Sequence, residues 1–229
     1  MRTAIVFFTL FAPALAMAQW GLNTPRAGSW EMSVGAFNQG GNSLGGEGSE
    51  PGAVVPNSSS LKVDSEWGYT FAFNYNFSDK LSLGADLDWV RPRYEATLVP
   101  DDPLENPVSI KHRATQFNGR IKATYNFSEK ALTPFVNAGI GWTQFDSNVA
   151  DGPPVTGCWW HPWWGYICES FYSTFSSTEF TYGTGVGLRY DLQGSGTIKA
   201  SYNYWWLDSG GQSEDFELDS FRIEYAWRF

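Results

Sequence analysis

The sequence predicts an all-β protein, a transmembrane eight-stranded antiparallel up-and-down β-barrel. Three observations carry that expectation. Eight segments alternate apolar and polar residues with a period of two, the signature of strands with one wet and one dry face. The connections between them run long, short, long, short, at about 24, 3, 16, 6, 27, 4 and 9 residues. The short connections repeat a motif, Tyr75-Asn76-Phe77-Ser78-Asp79-Lys80 returning as Tyr125-Asn126-Phe127-Ser128-Glu129-Lys130.

The chain begins MRTAIVFFTLFAPALAMAQW, with one Arg, an apolar run from Ala4 to about Ala12, and Ala16-Met17-Ala18 before Gln19. This reads as a cleaved signal peptide over residues 1–18, its apolar run too short to span a bilayer. Residues 19–229 are then one barrel domain of 229 − 18 = 211 residues. Losing Arg2 moves the formal charge from −9 to about −10.

The strands are expected at residues 29–38, 63–77, 81–96, 113–127, 134–147, 175–191, 196–208 and 218–229. Trp67 opens the second, Trp89 lies late in the third, Trp142 in the fifth and Trp206 in the seventh, all toward the long connections. Tyr75, Phe77, Tyr125, Phe127 and Tyr190 sit beside the short turns. At ~3.3 Å rise and ~40° tilt, the ten steps from Trp67 to Phe77 cover about 25 Å, the height of a lipid-facing band between aromatic girdles. The last strand alternates most strictly: Phe221, Ile223, Tyr225, Trp227 and Phe229 share one face, and Ser220, Arg222, Glu224, Ala226 and Arg228 the other.

Composition fits this scheme. Aromatics make up 17% of the chain, with 12 Trp, 11 Tyr and 17 Phe, while the mean hydropathy is only −0.30. A barrel exposes every second residue to lipid, so the average hides its apolar face. An acidic pI of 4.7 argues against nucleic acid as a partner. If the aromatics pointed inward they would overfill an eight-stranded lumen. The inward set therefore carries Glu31, Glu66, Asp86, Asp88, Glu179 and Glu224 against Arg120, Lys122, Arg189, Lys199, Arg222 and Arg228, with Gln116, Asn118, Asn137 and Asn203 and small residues such as Gly183 and Gly187. Six acids against six bases predict interlocking ion pairs and not a ring of one sign.

The leader, the alternating strands, the repeated turns and the closing Trp227-Arg228-Phe229 together resemble the small outer-membrane β-barrel family, which includes the OmpA transmembrane domain, OmpX and opacity-type surface proteins. The resemblance covers the whole mature chain. It implies a Gram-negative outer membrane, contact with membrane lipid and lipopolysaccharide, and a monomer. Tyr225, Trp227 and Phe229 resemble the C-terminal sorting signal of such barrels, which implies recognition by the barrel-assembly machinery during insertion. No peptidoglycan-binding domain is expected after Phe229, so a wall-anchoring role is not supported.

The outer loops are where a specific role is expected, acting on a surface protein or host partner. The first, Gln39 to Leu61, is rich in Gly, Ser and Asn and reads as mobile. Asp101, Asp102 and Glu105 in the second, and Glu214, Asp215 and Glu217 in the fourth, are solvated acids or share divalent ions with lipopolysaccharide phosphates. The third contains CWWHPWWGYIC between Cys158 and Cys168, the only cysteines, expected to form a disulfide in an exported protein. It presents Trp159, Trp160, Trp163, Trp164 and Tyr166, which could lie down as a lid on the mouth or the membrane interface, contact a partner, or stack on a sugar. His112 and His161 are the only histidines, and even His161 with Glu169 and Ser170 or Ser173 makes a poor hydrolytic triad. Neither enzyme activity, a metal site nor a cofactor is expected. The resulting reading is a charge-plugged barrel with a structural or adhesion-like role, with a narrow porin-like channel or solute carrier as the alternative.

Overall fold

The computed structural model describes residues 25–48, 57–99, 108–192, 194–208 and 216–229. The expected signal peptide at residues 1–18 lies outside them. Eight strands close into an antiparallel barrel: β1 (Trp30–Gln39), β4 (Glu66–Asn76), β5 (Leu81–Val90), β8 (Thr115–Asn126), β9 (Leu132–Ala150), β12 (Thr174–Asp191), β13 (Gly196–Asp208) and β14 (Phe216–Arg228). Each pairs with its sequence neighbour in the barrel, and β1 closes the ring against β14, with Glu31 opposite Arg228 and Gln39 opposite Ser220. The connections predicted to be short are tight turns, all at the end that also carries the chain terminus.

The long connections are built and not merely loose. In the first, β2 (Asn42–Gly48) pairs with β3 (Asn57–Val63), and in the second, β6 (Arg93–Val99) pairs with β7 (Val108–Arg113). β3 and β6 join these hairpins into one four-stranded sheet. The expectation that the first outer loop is mobile is thus corrected over its described residues, where serines pair through their backbone whatever their side chains prefer. Two expected strands also ran through real breaks. The 63–77 segment divides at Asp64-Ser65, and the 81–96 segment at Arg91-Pro92, where proline has no N–H to continue the ladder. Asp101, Asp102, Glu105, Glu214 and Asp215 lie outside the described residues. In the third connection β10 (Val155–His161) and β11 (Gly165–Phe171) form a separate two-stranded hairpin.

The parity predicted from sequence holds around the ring. Along β14, Phe221, Ile223, Tyr225 and Trp227 are exposed while Ser220, Arg222, Glu224 and Ala226 are buried. The outward rings cluster at both rims. Near the turns Trp30 stacks on Phe73 at 4.7 Å and Tyr75 meets Phe77 edge-on at 4.9 Å, and near the long connections Tyr182 stacks on Trp206 at 5.6 Å.

Among the described residues, three buried aromatics break the pattern and point inward: Phe37, Phe135 and Trp205. Each faces a glycine in cross-strand register, Gly68, Gly187 and Gly183 respectively. A Cβ at those glycines would come within 2.6, 2.5 and 2.7 Å of the ring it faces. The missing side chain is what lets a large ring into a narrow lumen.

Candidate functional site

The middle of the lumen is organised by β5, β8 and β14. Alternation puts Asp86 and Asp88 on one inward row, and register sets Asp86 opposite Arg120. Arg222 reaches across to both acids, with Nη1 donating to Asp86 Oδ2 at 2.7 Å and Nη2 to Asp88 Oδ2 at 2.6 Å. Its Nη1 also donates to Thr70 Oγ1 at 3.0 Å. Arg120 pairs with Asp88 at 2.5 Å and Lys122 with Asp86. The guanidinium of Arg120 lies 4.2 Å from the Trp205 ring centroid, a cation–π contact that caps this layer.

A second cluster lies nearer the turns. Glu31 accepts from Arg189 Nη2 at 2.7 Å and from Lys199, and Arg189 Nε donates to Asp191 Oδ1 at 2.8 Å. Asp191 then takes Arg26, whose Nε donates to Oδ2 at 2.8 Å. Arg26 is fully buried and closes this end. Its Nη1 donates to the carbonyls of Asp79 (3.0 Å) and Ser128 (2.9 Å), and its Nη2 to that of Lys130 (2.8 Å). One side chain therefore ties the β4–β5 turn, the β8–β9 turn and the end of β12. The Asp79 carboxylate accepts from the backbone N–H of Arg26 and Ala27 at 2.6 and 3.0 Å, which holds it below the usual aspartate range.

Of the twelve residues expected in the ion-pair network, eight form it: Glu31, Asp86, Asp88, Arg120, Lys122, Arg189, Lys199 and Arg222. The other four are corrected. Glu66 sits at the outer rim, where it accepts from the Trp67 N–H. Glu179 lines the outer mouth beside Phe175 and Leu207. Among the described residues Glu224 makes no direct ion pair: it is buried opposite Lys199 in register, close enough to act on Arg222 through space, and takes a hydrogen bond from Ser33 Oγ at 3.2 Å. Arg228 donates to the Pro25 carbonyl at 3.1 Å. Arg26 and Asp191 were missed. Asp191 shares the parity of Arg189, two residues earlier, and that was the signal available.

On the outer side, Cys158 and Cys168 form a disulfide between paired positions of β10 and β11. Gly165, with φ 72°, makes the tip turn that few other residues would tolerate. Trp160, Trp163, Trp164 and Tyr166 are 71%, 83%, 74% and 69% exposed, so they do not lie on the barrel mouth as a lid. The Trp159 side chain lies outside the described residues. His161 stacks on Trp164 at 4.3 Å, and its Nδ1 accepts from the Trp163 N–H, so the ring is a turn element. Glu217, expected in the fourth loop, lies at the start of β14 and accepts from the Tyr204 hydroxyl.

The model of the outer membrane protein beta-barrel domain family matches residues 3–229. The chain belongs to that family. No curated protein matches it. Among solved structures, Neisserial surface protein A is similar at TM-score 0.54 and 11% identity, over 89% of this chain and 98% of that one. The outer membrane protein OprG from Pseudomonas aeruginosa is similar at TM-score 0.54 and 14% identity, over 91% of this chain and 99% of that one. These likenesses show a shared fold. As an outer-membrane barrel of a Gram-negative cell, the protein turns its outward aromatic bands toward lipid, with its turns periplasmic and its long connections outside.

Proposed function

We propose that this protein is a charge-plugged barrel that acts as a monomeric surface scaffold, presenting its outer loops to a surface protein or host partner in an adhesion-like role. The observation that carries this reading is the stapled hairpin, whose aromatic tip projects into solvent where exposed Trp and Tyr make strong contact residues. The lumen supports it from the other direction. Arg222, bridging Asp86 and Asp88, and Arg26, joining the turns, occupy the axis with paired charges of both signs, and not with a ring of one sign that would select ions. Membrane lipid and lipopolysaccharide surround the wall, and the barrel-assembly machinery reads Tyr225, Trp227 and Phe229 during insertion. The histidines serve the outer hairpins, which fits a non-catalytic role.

Two measurements test the reading. Planar-bilayer recordings of the refolded protein are expected to stay silent or show rare small openings, whereas steady channels with reproducible ion selectivity would favour the narrow channel. Cells displaying the protein are expected to lose adherence when Trp160, Trp163 and Trp164 are replaced by Ala at equal surface abundance. Unchanged adherence would remove the hairpin from the role.

A further inference from the structure

Above the ion pairs, the extracellular mouth of the barrel holds a cavity of about 460 Å³. Its walls come from two sources. Leu61 and Val63 of β3 belong to the outer sheet and Pro92 to the link leading into it, and Phe145, Phe175 and Leu207 belong to the upper ends of β9, β12 and β13. The outer sheet thus leans over the mouth and shares one apolar chamber with the barrel, and Tyr94 of β6 fixes the junction by donating to the Ser147 carbonyl of β9 at 3.0 Å.

The floor is closed. Leu207 packs with Trp205 and Leu218, Phe145 lies against them, and Trp205 rests on Arg120 of the mid-lumen layer. At the floor Gln39 and Gln116 exchange hydrogen bonds at 3.0 and 3.1 Å, and Gln116 also donates to Asn118 at 3.0 Å. Among the described residues, the single charged group on the chamber wall is Glu179.

We propose that this chamber is a binding site for an uncharged, predominantly apolar small molecule whose hydrogen-bond donor meets Glu179. The volume falls within the ~300–1,000 Å³ of small-molecule pockets, and the lining has their usual make-up, carbon with a few polar atoms. The charge pattern selects the class. An anionic head would be desolvated with no cation on the wall to receive it, and beside a carboxylate. A hydroxyl or amide N–H on an apolar body satisfies Glu179 and leaves the carbon walls covered. Because the floor rests on packed side chains and ion pairs, the ligand is held on the extracellular side and is not passed down the axis. This site lies apart from the hairpin tip and does not depend on its role.

The test uses the refolded protein in lipid nanodiscs with two photoreactive probes of equal chain length, a diazirine alkanol and the corresponding alkanoate at neutral pH. Labelled peptides are mapped by mass spectrometry, and label on lipid-facing Trp89 and Ile140 serves as the control for partition into the bilayer. The alkanol is expected to label the peptides carrying Phe145, Phe175 and Leu207 roughly tenfold more than the alkanoate, as one unpaired desolvated charge requires. Excess unlabelled alkanol should abolish that signal in the wild type. Ala114→Phe or Ser177→Phe, which fill the chamber, should abolish it while leaving the lipid-facing control unchanged, and Glu179→Gln should narrow the preference for the alkanol. Label confined to lipid-facing residues, no saturation by competitor, or equal chamber labelling by both probes would each overturn the proposal. The competition arm needs no variant, so it decides the matter even if a filled barrel fails to fold.

Discussion

At the periplasmic end, a single buried guanidinium gathers two turns and the end of β12 through hydrogen bonds to backbone carbonyls and a carboxylate. At the extracellular end, the strands rise past the ion pairs into carbon: Trp205, Leu207, Leu218 and Phe145, then the chamber and the outer sheet. Parity marks the inward residues of the strands at both ends but says nothing of what closes each end. Chain connectivity decides that. Short turns bring backbone carbonyls to the axis, where a cation can collect them, while long connections bring side chains that can cover apolar residues. A buried cation held by fixed carbonyls makes a rigid seal, and a sheet leaning over an apolar mouth makes room for a ligand.

The strongest way to break this comparison is to damage the layer that both ends rest on. Arg222→Ala removes the cation shared by Asp86 and Asp88, and breaking a buried charge cluster from one side costs about 3–5 kcal/mol. Urea unfolding followed by Trp fluorescence should show that loss, and an unchanged midpoint would mean that Lys122 and Arg120 suffice. Arg26→Ala should cost less, about 2–3 kcal/mol, because Asp191 keeps Arg189 while the carbonyls of Asp79, Ser128 and Lys130 lose their donor. Its effect should be local. Hydrogen exchange is expected to speed up at the periplasmic turns and to stay unchanged around the outer sheet.

How legible each end was in the sequence follows from the same contrast. The ring and its parity could be read because alternation is a local property, and counting inward positions was enough to nominate charged residues for the lumen. The ion-pair partners could not be found that way. Arg222 meets Asp86 and Asp88 across 134 to 136 residues of chain, a distance that only closure of the barrel removes. Arg26 precedes the first strand and carries no periodic signal. Phe37, Phe135 and Trp205 sit at inward parity, but their tolerance depends on glycines in the neighbouring strand, which requires the register. β2 and β3 escaped notice because Ser- and Gly-rich segments lack alternation even when their backbones pair, and the start of β6 was merged into the expected 81–96 strand across Arg91-Pro92.

Smaller effects sharpen the comparison at its margins. Replacing Cys158 and Cys168 by Ser should leave global barrel unfolding within about 0.5 kcal/mol of wild type, as expected for a change away from the core. The hairpin itself should open more readily, by roughly 3 kcal/mol on the chain-entropy view of a short loop. Hydrogen exchange across β10 and β11, with and without reductant, separates the two responses.

The periplasmic seal should also respond to acid through Asp79. Its carboxylate receives two backbone N–H bonds and is held below the ordinary aspartate range, so the folded form favours the ionised state. A group with a lowered folded pKa adds stability above its unfolded value, about 3.9, and that contribution fades as pH falls through the lowered value. Amide exchange at Arg26 and Ala27 should therefore be steady near neutral pH and accelerate relative to intrinsic rates below about pH 4. In Asp79→Asn the amide oxygen still accepts both bonds but no longer titrates. That variant should show a slightly weaker seal at neutral pH and no acid step, whereas an acid step that survived the substitution would trace the pH response to another carboxylate.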